Sequence, residues 1–578
     1  MVMDYPFLMQ NFKEGKSILF SMTFIALLTL PVVFSPSVTA VTTSASAGTT
    51  TSTEQLTSTQ AEFIGQVDVG ALPAPSEGIA TALSLPQFSP STQEQSGAGG
   101  FTIVTPGSQS LIHIVKDFAG TPGTNPNPCR CTPPDMGLAA SSKFVVQMVN
   151  LAGTIWKNNG VHVTTFSLSD FWFLPVRGGP LGIGMSDPQV LYDAAADRFY
   201  ASIIDTFDVN RVNFAVTATN DPTGTWFIYR VIANCNPATP YSNCSPASSN
   251  TLPDQPYIGY SSDKFLISVN DFDITTGLFI GAQYWILNKA EMLSGCTAPT
   301  SCPNGRNIDA VTNVVTTANN HWAIRPAQHL SATSTAFMAE NCLTLIDGLL
   351  LTNACPGAPL TIPPTGGINV FTITGTPPST TTVTVTTVPV HSMSFPGKAD
   401  QPGNPASLGT NDGLRMLSIV WRNNVLWTAS HEGCTPPGDS ASRTCARLDQ
   451  ISTPVSSTTT ASQDFDLGFV GEYVFYPALS TDSSNNLVVL YGHSSLNLFP
   501  DLEVTGQLTT MPIETLSKAV VLVAGTAADL STRWGDYFWA ATDPSTPSTF
   551  WVSGEFRTVS LFQGWSTQVG EISFTSST

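Results

Sequence analysis

A short pattern recurs seven times along this chain of 578 residues, and it constrains the fold more than any other feature. In each copy a polar residue opens a small apolar strand, a tight turn follows, and a second strand ends on another polar group. Intervals of roughly 50 to 90 residues leave room for two further strands per copy, which is typical of a β-propeller. The copies begin near Asp135, Asp187, Asp254, Arg325, Asp412, Tyr476 and Asp536.

The sequence therefore predicts an all-β fold, a seven-bladed β-propeller made of four-stranded antiparallel sheets. After the last copy only one further strand, Thr567 to Phe574, follows before the chain ends. The segment Ser110 to Phe118 is apolar enough to supply the missing fourth strand. We expect this N-terminal strand to close the last blade, because closure removes exposed sheet edges.

Charge is sparse and acidic. Charged residues make up 11% of the chain, and 41 acidic against 22 basic residues give a formal charge of −19. Such a surface repels a phosphate backbone, so we expect no nucleic-acid partner.

The N-terminal 100 residues divide into two segments. Lys13 and Lys16 precede an apolar run from Ile18 to Phe34, and small residues around Ala40 offer a cleavage site, so residues 1–40 are predicted to be a signal peptide. The alternative is an uncleaved anchor, which would be the chain's route to a membrane. Residues 41–100 are rich in Ser, Thr, Gly and Pro and are predicted to form a disordered linker to the propeller domain, residues 101–578. The protein is expected to be secreted or held at the cell surface.

Ten cysteines form five neighbouring pairs, and in an exported chain they are expected to be disulfides that join strand-connecting loops. Whether Cys129 and Cys131 pair is left open, because a bridge across one residue is strained. The other pairs are Cys235 with Cys244, Cys296 with Cys302, Cys342 with Cys355, and Cys434 with Cys445.

Three stretches resemble a family of secreted bacterial and archaeal proteins with sialidase-like β-propeller folds of the Asp-box type. They are 133–150, which opens with Pro-Pro-Asp-Met-Gly-Leu-Ala, 187–198, and 533–551, which opens with Arg-Trp-Gly-Asp-Tyr. The likeness spans about residues 101 to 578. Since most members of that family have no assigned activity, the resemblance implies the fold and leaves the function open. One degenerate Asp-box, Thr219 to Trp226, is interpreted as a β-turn followed by a buried tryptophan.

In a propeller the first strand of each blade begins at the channel mouth where the second strand ends, so polar residues at both points should converge. They could bind a polar ligand through arginine forks and carboxyl groups, or pair with each other and hold the blades in register. The candidate ligand-binding residues are Asp135, Asp187, Asp254, Asp412, Arg325, Arg415, Arg533, His431, His493 and Glu555.

Two functions stay open. The first is an extracellular binding or scaffolding module whose partner is a glycan or a cell-surface protein. The second is a sialidase-like glycoside hydrolase, in which Arg325, Arg415 and Arg533 would hold a substrate carboxylate. The catalytic candidates would then be Glu472, Tyr476 and Asp536. Whether the chain is an enzyme is not decided by its sequence.

Neither an organic cofactor nor a catalytic metal is expected. Gly-rich nucleotide loops, haem-attachment motifs and His-Glu-x-x-His are absent from the sequence. His431 and His493 each follow a predicted strand end, where exposed histidine is common. A structural calcium ion held by aspartates and backbone carbonyls remains an alternative.

Overall fold

A computed structural model gives the fold. It describes residues 50–75, 102–129, 131–177, 184–205, 210–233, 251–273, 279–295, 307–313, 321–346, 350–353, 366–378, 380–405, 407–410, 414–454, 458–531, 533–546, 548–562 and 564–574. The predicted signal peptide lies outside these residues. No helix among them is long and apolar enough to cross a membrane.

Antiparallel groups of four strands, here called sheets 1 to 7, follow one another along the described chain, and in each group the first three strands are neighbours in sequence order. Sheets 1, 6 and 7 are separate four-stranded sheets, and sheet 4 carries Thr50–Thr53 as a fifth strand. The strands Leu56–Asp68 and Gln328–His329 join sheets 2, 3 and 5 into one fifteen-stranded sheet. Sheet 1 comprises Gly137–Ala140, Phe144–Val149, Ala152–Lys157 and His162–Ser167. Sheet 2 comprises Met185–Asp193, Arg198–Asp205, Arg211–Thr217 and Thr225–Ile232. Sheet 3 comprises Thr251–Tyr260, Lys264–Asp273, Phe279–Asn288 and Asn307–Asn313. Sheet 4 comprises Arg325–Pro326, Ala336–Asn341, Gly367–Thr374 and Thr382–Pro389.

The remaining sheets continue the pattern. Sheet 5 comprises Met416–Arg422, Val425–Cys434, Arg443–Ser452 and Thr460–Leu467. Sheet 6 comprises Glu472–Thr481, Leu487–Ser495, Leu498–Gln507 and Val520–Val523. Sheet 7 comprises Trp539–Thr542, Thr549–Arg557, Trp565–Phe574 and, from the N-terminal side, Ile112–Ala119. Nearly all the secondary structure is β, and this succession of sheets is consistent with a β-propeller.

Few other elements are present in the described chain. They are the helices Leu168–Arg177, Lys289–Ser294 and the short Val69–Ala71, together with the strands Thr50–Thr53, Leu56–Asp68, Thr102–Val104, Gln328–His329, Leu343–Ile346 and Leu350–Asn353.

A left-handed residue lies at or near the start of every first strand. Glycine adopts positive φ readily, but none of these residues is glycine, so fixed neighbours must hold the backbone there. The residues are Asp135, Asp187, Gln255, Ala323, Leu414, Tyr476 and Asp536, with φ between 44° and 63°. In three copies this point is one or two residues away from the predicted start, which was Asp254, Arg325 or Asp412.

The last sheet takes its fourth strand from the other end of the domain. Ile112–Ala119 pairs antiparallel with Trp565–Phe574, with Phe574 opposite Ile112 and Gln568 opposite Ala119. Within the strand, buried Ile112 is followed by residues of alternating exposure, as expected where one strand face packs on the core.

The predicted disorder of residues 41–100 is wrong for residues 50–75. Leu56–Asp68 is a strand that pairs on one edge with Thr225–Ile232 of sheet 2 and on the other with Asn307–Asn313 of sheet 3. Its composition is too polar to form a core by itself, but backbone hydrogen bonds to two sheets and burial of Ala61 and Val67 hold it in place. Residues 76–100 lie outside the described chain.

Aromatic and aliphatic side chains fill the spaces between neighbouring sheets. One cluster contains Trp285, Phe265 and Tyr200, and another contains Trp534, Phe550 and Tyr476. Trp226 is fully buried and donates to the carbonyl of Pro222, so the degenerate Asp-box is the predicted turn with a buried tryptophan.

Two of the five cysteine pairs lie within the described residues. Cys434 and Cys445 form the expected disulfide, and Cys129 pairs with Cys131, which the sequence had left open. Cys342 is buried. Its expected partner Cys355 lies outside the described residues, as do Cys235, Cys244, Cys296 and Cys302.

Candidate functional site

The starts of the first strands bring acids and arginines from distant parts of the chain into one charged group, here called the central cluster. Its described members are Asp135, Asp187, Asp254, Asp536, Arg325, Arg415 and Arg533. Asp187 interacts electrostatically with Asp536 and Arg415. Asp254 interacts with Asp187 and with both Arg415 and Arg533. The predicted convergence of these residues is therefore present, while Asp412 lies outside the described residues.

Asparagines at the ends of second strands link consecutive sheets. The amide of Asn150 donates to Asp135 in its own sheet, and its oxygen accepts from the backbone N–H of Asp187 in the next sheet at 3.3 Å. Asn270 repeats the arrangement, donating to Gln255 at 2.8 Å and accepting from the N–H of Ala323 at 2.9 Å. Each bridge fixes the left-handed backbone that follows it.

A third asparagine makes the same kind of link. The Asn341 amide donates to the carbonyl of Leu414 at 2.8 Å, again reaching the left-handed residue of the next sheet. Bridging asparagines were only partly anticipated, because the sequence marked second-strand ends as polar without indicating that they join neighbouring sheets.

Two arginines converge on one carboxylate of the cluster. Arg533 Nη2 lies 2.8 Å from Asp536 Oδ2, and Arg415 Nη2 lies 3.8 Å from Asp536 Oδ1. Both arginines are already neutralised in part by the protein itself.

The third arginine is held by aromatic rings. The Arg325 guanidinium lies 4.3 Å from the Tyr257 ring centre and 5.6 Å from that of Trp539. Such cation–π contacts stabilise a desolvated guanidinium. Tyr537 in the same region donates to Asp187 Oδ2 at 2.7 Å. Tyr257 and Tyr537 were missed in the sequence, although Tyr537 directly follows the left-handed Asp536.

Burial makes the aspartates weak acids. Desolvation raises the pKa of Asp135 well above its usual range, and the charges of Asp536 and Asp187 raise it further. Desolvation likewise raises the pKa of Asp254 strongly and that of Asp187 to a smaller degree. Carboxyl groups of this kind keep their protons to a higher pH than usual, which lessens the repulsion within the cluster.

Two further predicted residues lie beside the cluster. His431 is buried against the Tyr476 ring, 5.1 Å between centres, and burial with the nearby Arg415 lowers its pKa to about 3, so the imidazole is neutral. Glu555 accepts from the Gly535 N–H at 2.8 Å, and burial raises its pKa to about 8.

The proposed catalytic pair Glu472 and Tyr476 have different partners. Tyr476 is buried and donates to the Gly409 carbonyl at 2.9 Å. Glu472 instead accepts from His493 Nε2 at 2.8 Å, and the other His493 nitrogen lies 3.2 Å from Glu503. Burial disfavours the charged imidazole of His493, but its bonds to Glu472 and Glu503 outweigh this and raise its pKa to about 9. His493, which the sequence placed among the ligand-binding candidates, therefore pairs with Glu472 and Glu503.

A cavity of about 360 Å³ opens at the opposite ends of the first strands, where hairpins lead into the second strands. Its lining includes Tyr192, Asp193, Tyr260, Arg422, Ala332 and Thr542. Between the two ends, a space of only about 10 Å³ remains beside Arg325. The sequence analysis placed candidates at the strand starts and did not anticipate this cavity, because hairpin residues show no common motif.

Comparisons with known proteins give only distant structural likenesses. No protein-family model and no curated protein match the chain. An α-L-arabinofuranosidase from Fusarium graminearum, in complex with an iminosugar inhibitor, is 10% identical with a TM-score of 0.34, over 81% of this chain and 98% of that one. The Trypanosoma rangeli sialidase in complex with the inhibitor DANA is 10% identical with a TM-score of 0.31, over 72% and 57%. A Hadza microbial sialidase is 8% identical with a TM-score of 0.32, over 74% and 73%. These values assign neither a family nor a function.

Proposed function

We propose that this chain is an exported, seven-bladed β-propeller closed by Ile112–Ala119, and that it acts outside the cell or at its surface as a binding module. Its ligand is a neutral, hydroxyl-rich molecule of the glycan class, and the binding site is the cavity at the hairpin ends. The observation that carries this proposal is that cavity, whose volume of about 360 Å³ lies within the range of small-molecule sites.

The polar groups of the cavity are suited to hydroxyl groups rather than to an ion. Asp193 pairs with Lys289 and also accepts from the N–H of Ala195 at 3.0 Å. Arg422 donates to the Thr481 carbonyl at 3.2 Å. Arg422 also interacts electrostatically with Asp482. A neutral ligand would therefore displace water without breaking an ion pair.

Two tyrosines at the cavity offer aromatic surface on which a sugar could pack. Tyr192 is partly exposed at the cavity, and Tyr260 forms a buried wall whose hydroxyl donates to the Tyr192 carbonyl at 3.0 Å. Tyrosines offer a rigid apolar ring beside a polar tip, a combination that fits the apolar face and hydroxyl edge of a sugar.

The central cluster supports binding over sialidase-like hydrolysis. A carboxylate-gripping hydrolase needs arginines available to its substrate, whereas Arg415 and Arg533 both contact Asp536. A hydroxyl-bearing nucleophile beside a carboxylate is also needed, whereas Tyr476 and Glu472 bond to Gly409 and His493. These contacts favour a structural role for the cluster.

The test is glycan-array screening of the full chain, followed by calorimetric titration of the glycans that bind. Ala332 is exposed and lines the cavity, so Ala332→Trp should fill it and weaken binding at least about tenfold, roughly 1.4 kcal/mol. Ala441→Trp, at an exposed alanine away from the cavity lining, is the matched control and should bind normally.

Binding of no glycan, or equal binding by both tryptophan variants, would contradict the cavity as the site. The hydrolase alternative has its own outcome. If the wild type released umbelliferone from umbelliferyl glycosides and Arg533→Ala did not, the activity would belong to the central cluster instead.

A further inference from the structure

A histidine and two carboxylates come together between sheets 4 and 5. His391 follows the outer strand of sheet 4, while Glu432 and Asp466 lie near the ends of the second and outer strands of sheet 5. One ligand atom from each residue lies within 4.8 Å of the other two. The carboxylates are fully buried, and the histidine side chain is 10% exposed.

The imidazole presents its two nitrogens to different carboxylates. Nε2 lies 2.9 Å from Glu432 Oε1 and 3.6 Å from Asp466 Oδ1, so it faces the space between them. Nδ1 contacts Asp464 on the other side of the ring. In metal sites the ligating histidine usually donates its second N–H to a carboxylate in this way, which fixes the tautomer and orientation.

An arginine holds the outer oxygens of the group. Arg447 Nη1 lies 3.1 Å from Glu432 Oε2, and its other nitrogens lie 3.1 Å from Asp449 and 2.9 Å from Asp464. Glu432 Oε1 is thereby left facing His391 and Asp466. The Cys434–Cys445 disulfide joins the second and third strands of sheet 5, which carry Glu432 and Arg447, and Cys445 lies directly opposite Glu432.

Asp466 provides the independent observation. It is fully buried, and neither of its carboxylate oxygens accepts a hydrogen bond from a donor group among the described residues. His391 Nε2 lies 3.6 Å from Oδ1, and a hydrogen bond between the carboxyl groups of Asp466 and Glu432 requires a proton on one of them. Leaving a buried carboxylate unsatisfied is costly, so a group with this arrangement calls for a cation or proton. Four carboxylates, those of Glu432, Asp449, Asp464 and Asp466, here face one guanidinium and one imidazole, an imbalance that a divalent ion would offset.

We propose that His391, Glu432 and Asp466 bind a divalent transition-metal ion of the zinc type, joining sheets 4 and 5. The imidazole favours zinc or a neighbouring transition metal over calcium and magnesium, which take oxygen ligands. Asp464 and Arg447 are positioning residues that orient the ligands. This site is independent of the glycan cavity and differs from the structural calcium that the sequence allowed, because its ligand set includes nitrogen.

The experiment uses the full chain, stripped with a chelator and titrated with Zn²⁺ and separately with Co²⁺, whose visible absorption reports a protein ligand set. The wild type should bind one equivalent of either ion and melt at a higher temperature with Zn²⁺ than with Ca²⁺. Asp466→Asn and His391→Gln should each weaken metal binding at least about tenfold. Loss of a residue that only hydrogen-bonds to a metal ligand already weakens metal affinity by about that factor.

Two controls separate this site from other histidines. His162→Gln removes an exposed imidazole of the kind that holds adventitious zinc. His493→Gln removes the histidine of another group that could hold a metal ion, with Asp501 and Glu503. Both variants should retain the Co²⁺ spectrum. Failure of the wild type to bind Zn²⁺ or Co²⁺ would overturn the proposal. Loss of the spectrum in His162→Gln or His493→Gln, with full binding in His391→Gln, would overturn it equally. Far-UV circular dichroism shows whether each variant is folded. If a ligand variant is unfolded, the titration of the wild type with Zn²⁺ and Co²⁺ still tests the proposal.

Discussion

The Tyr537 hydroxyl donates a hydrogen bond of 2.7 Å to Asp187 Oδ2, although 350 residues separate the two in the chain. Tyr537 precedes the first strand of sheet 7, and Asp187 lies near the start of sheet 2. A contact between sheets so distant in sequence is expected where first strands surround a common axis. Through this bond an aspartate of the central cluster contacts a residue from the last sheet of the domain.

The asparagine bridges should stabilise the fold. Asn270→Ala would leave the Gln255 side chain and the Ala323 N–H without their present partner in a buried region, so the free energy of unfolding should fall by about 2 to 4 kcal/mol. Urea denaturation measures the change. Asn497→Ala, at an exposed asparagine, is the control and should change stability by less than about 0.5 kcal/mol. Equal stability of the two variants would show that the bridge has no energetic role.

The strand Leu56–Asp68 should behave as part of the folded domain. Ala61 is fully buried between sheets 2 and 3, so Ala61→Asp would bury a carboxylate and lower the melting temperature by several degrees or more. Ser58→Asp places the same charge at an exposed position of the strand and should have little effect. Indistinguishable melting curves would mean that the strand is a dispensable attachment.

Stability should depend on pH through Glu555. Burial raises its pKa from the ordinary 4.5 to about 8, so the folded protein binds this proton more tightly than the unfolded chain does. Its contribution is therefore complete below the unfolded pKa and declines as pH rises towards 8. Denaturation between about pH 5 and pH 8 should show a shallower decline in Glu555→Gln than in the wild type. The exposed Glu62→Gln should keep the wild-type slope, and an unchanged slope in Glu555→Gln would contradict the assignment.

The Cys434–Cys445 disulfide should contribute to stability under oxidising conditions. It closes a short loop with a sequence separation of 11, and the chain-entropy model gives about 2 to 3 kcal/mol for loops of this size. Replacement of both cysteines by alanine should lower the denaturation midpoint accordingly. Addition of a reductant should then lower the midpoint less in this variant than in the wild type, and an equal shift would mean that other thiols account for the effect.

The repeat predicted the all-β organisation, because alternating apolar residues and turn signals are local properties of the sequence. It also predicted that charged residues converge, because they occupy equivalent positions in successive copies. It predicted the register less well. Polar side chains marked the expected strand starts, yet the left-handed position is occupied by Ala323 and Leu414 in two sheets. Side-chain polarity carries no information there, since hydrogen bonds from the preceding sheet fix the backbone.

Tertiary contacts account for the other differences. Leu56–Asp68 has the composition of a linker, and only the exposed edges of two sheets make it a strand. His493 lies near the end of a second strand as predicted, but its pairing with Glu472 and Glu503 on the neighbouring strands could not be read from the sequence. His391 carried no motif at all, and its partners Glu432 and Asp466 are recognisable only once two sheets are packed together.

A double-mutant cycle on Asp187 and Tyr537 tests most directly whether distant first strands converge. Asp187→Asn, Tyr537→Phe and the double variant are unfolded in urea beside the wild type, and the free energies of unfolding are compared. The account predicts a coupling of at least about 1 kcal/mol, because the bond is buried and joins a hydroxyl to a carboxyl group. Additive effects, with a coupling below about 0.3 kcal/mol, would contradict the convergence on which the account rests.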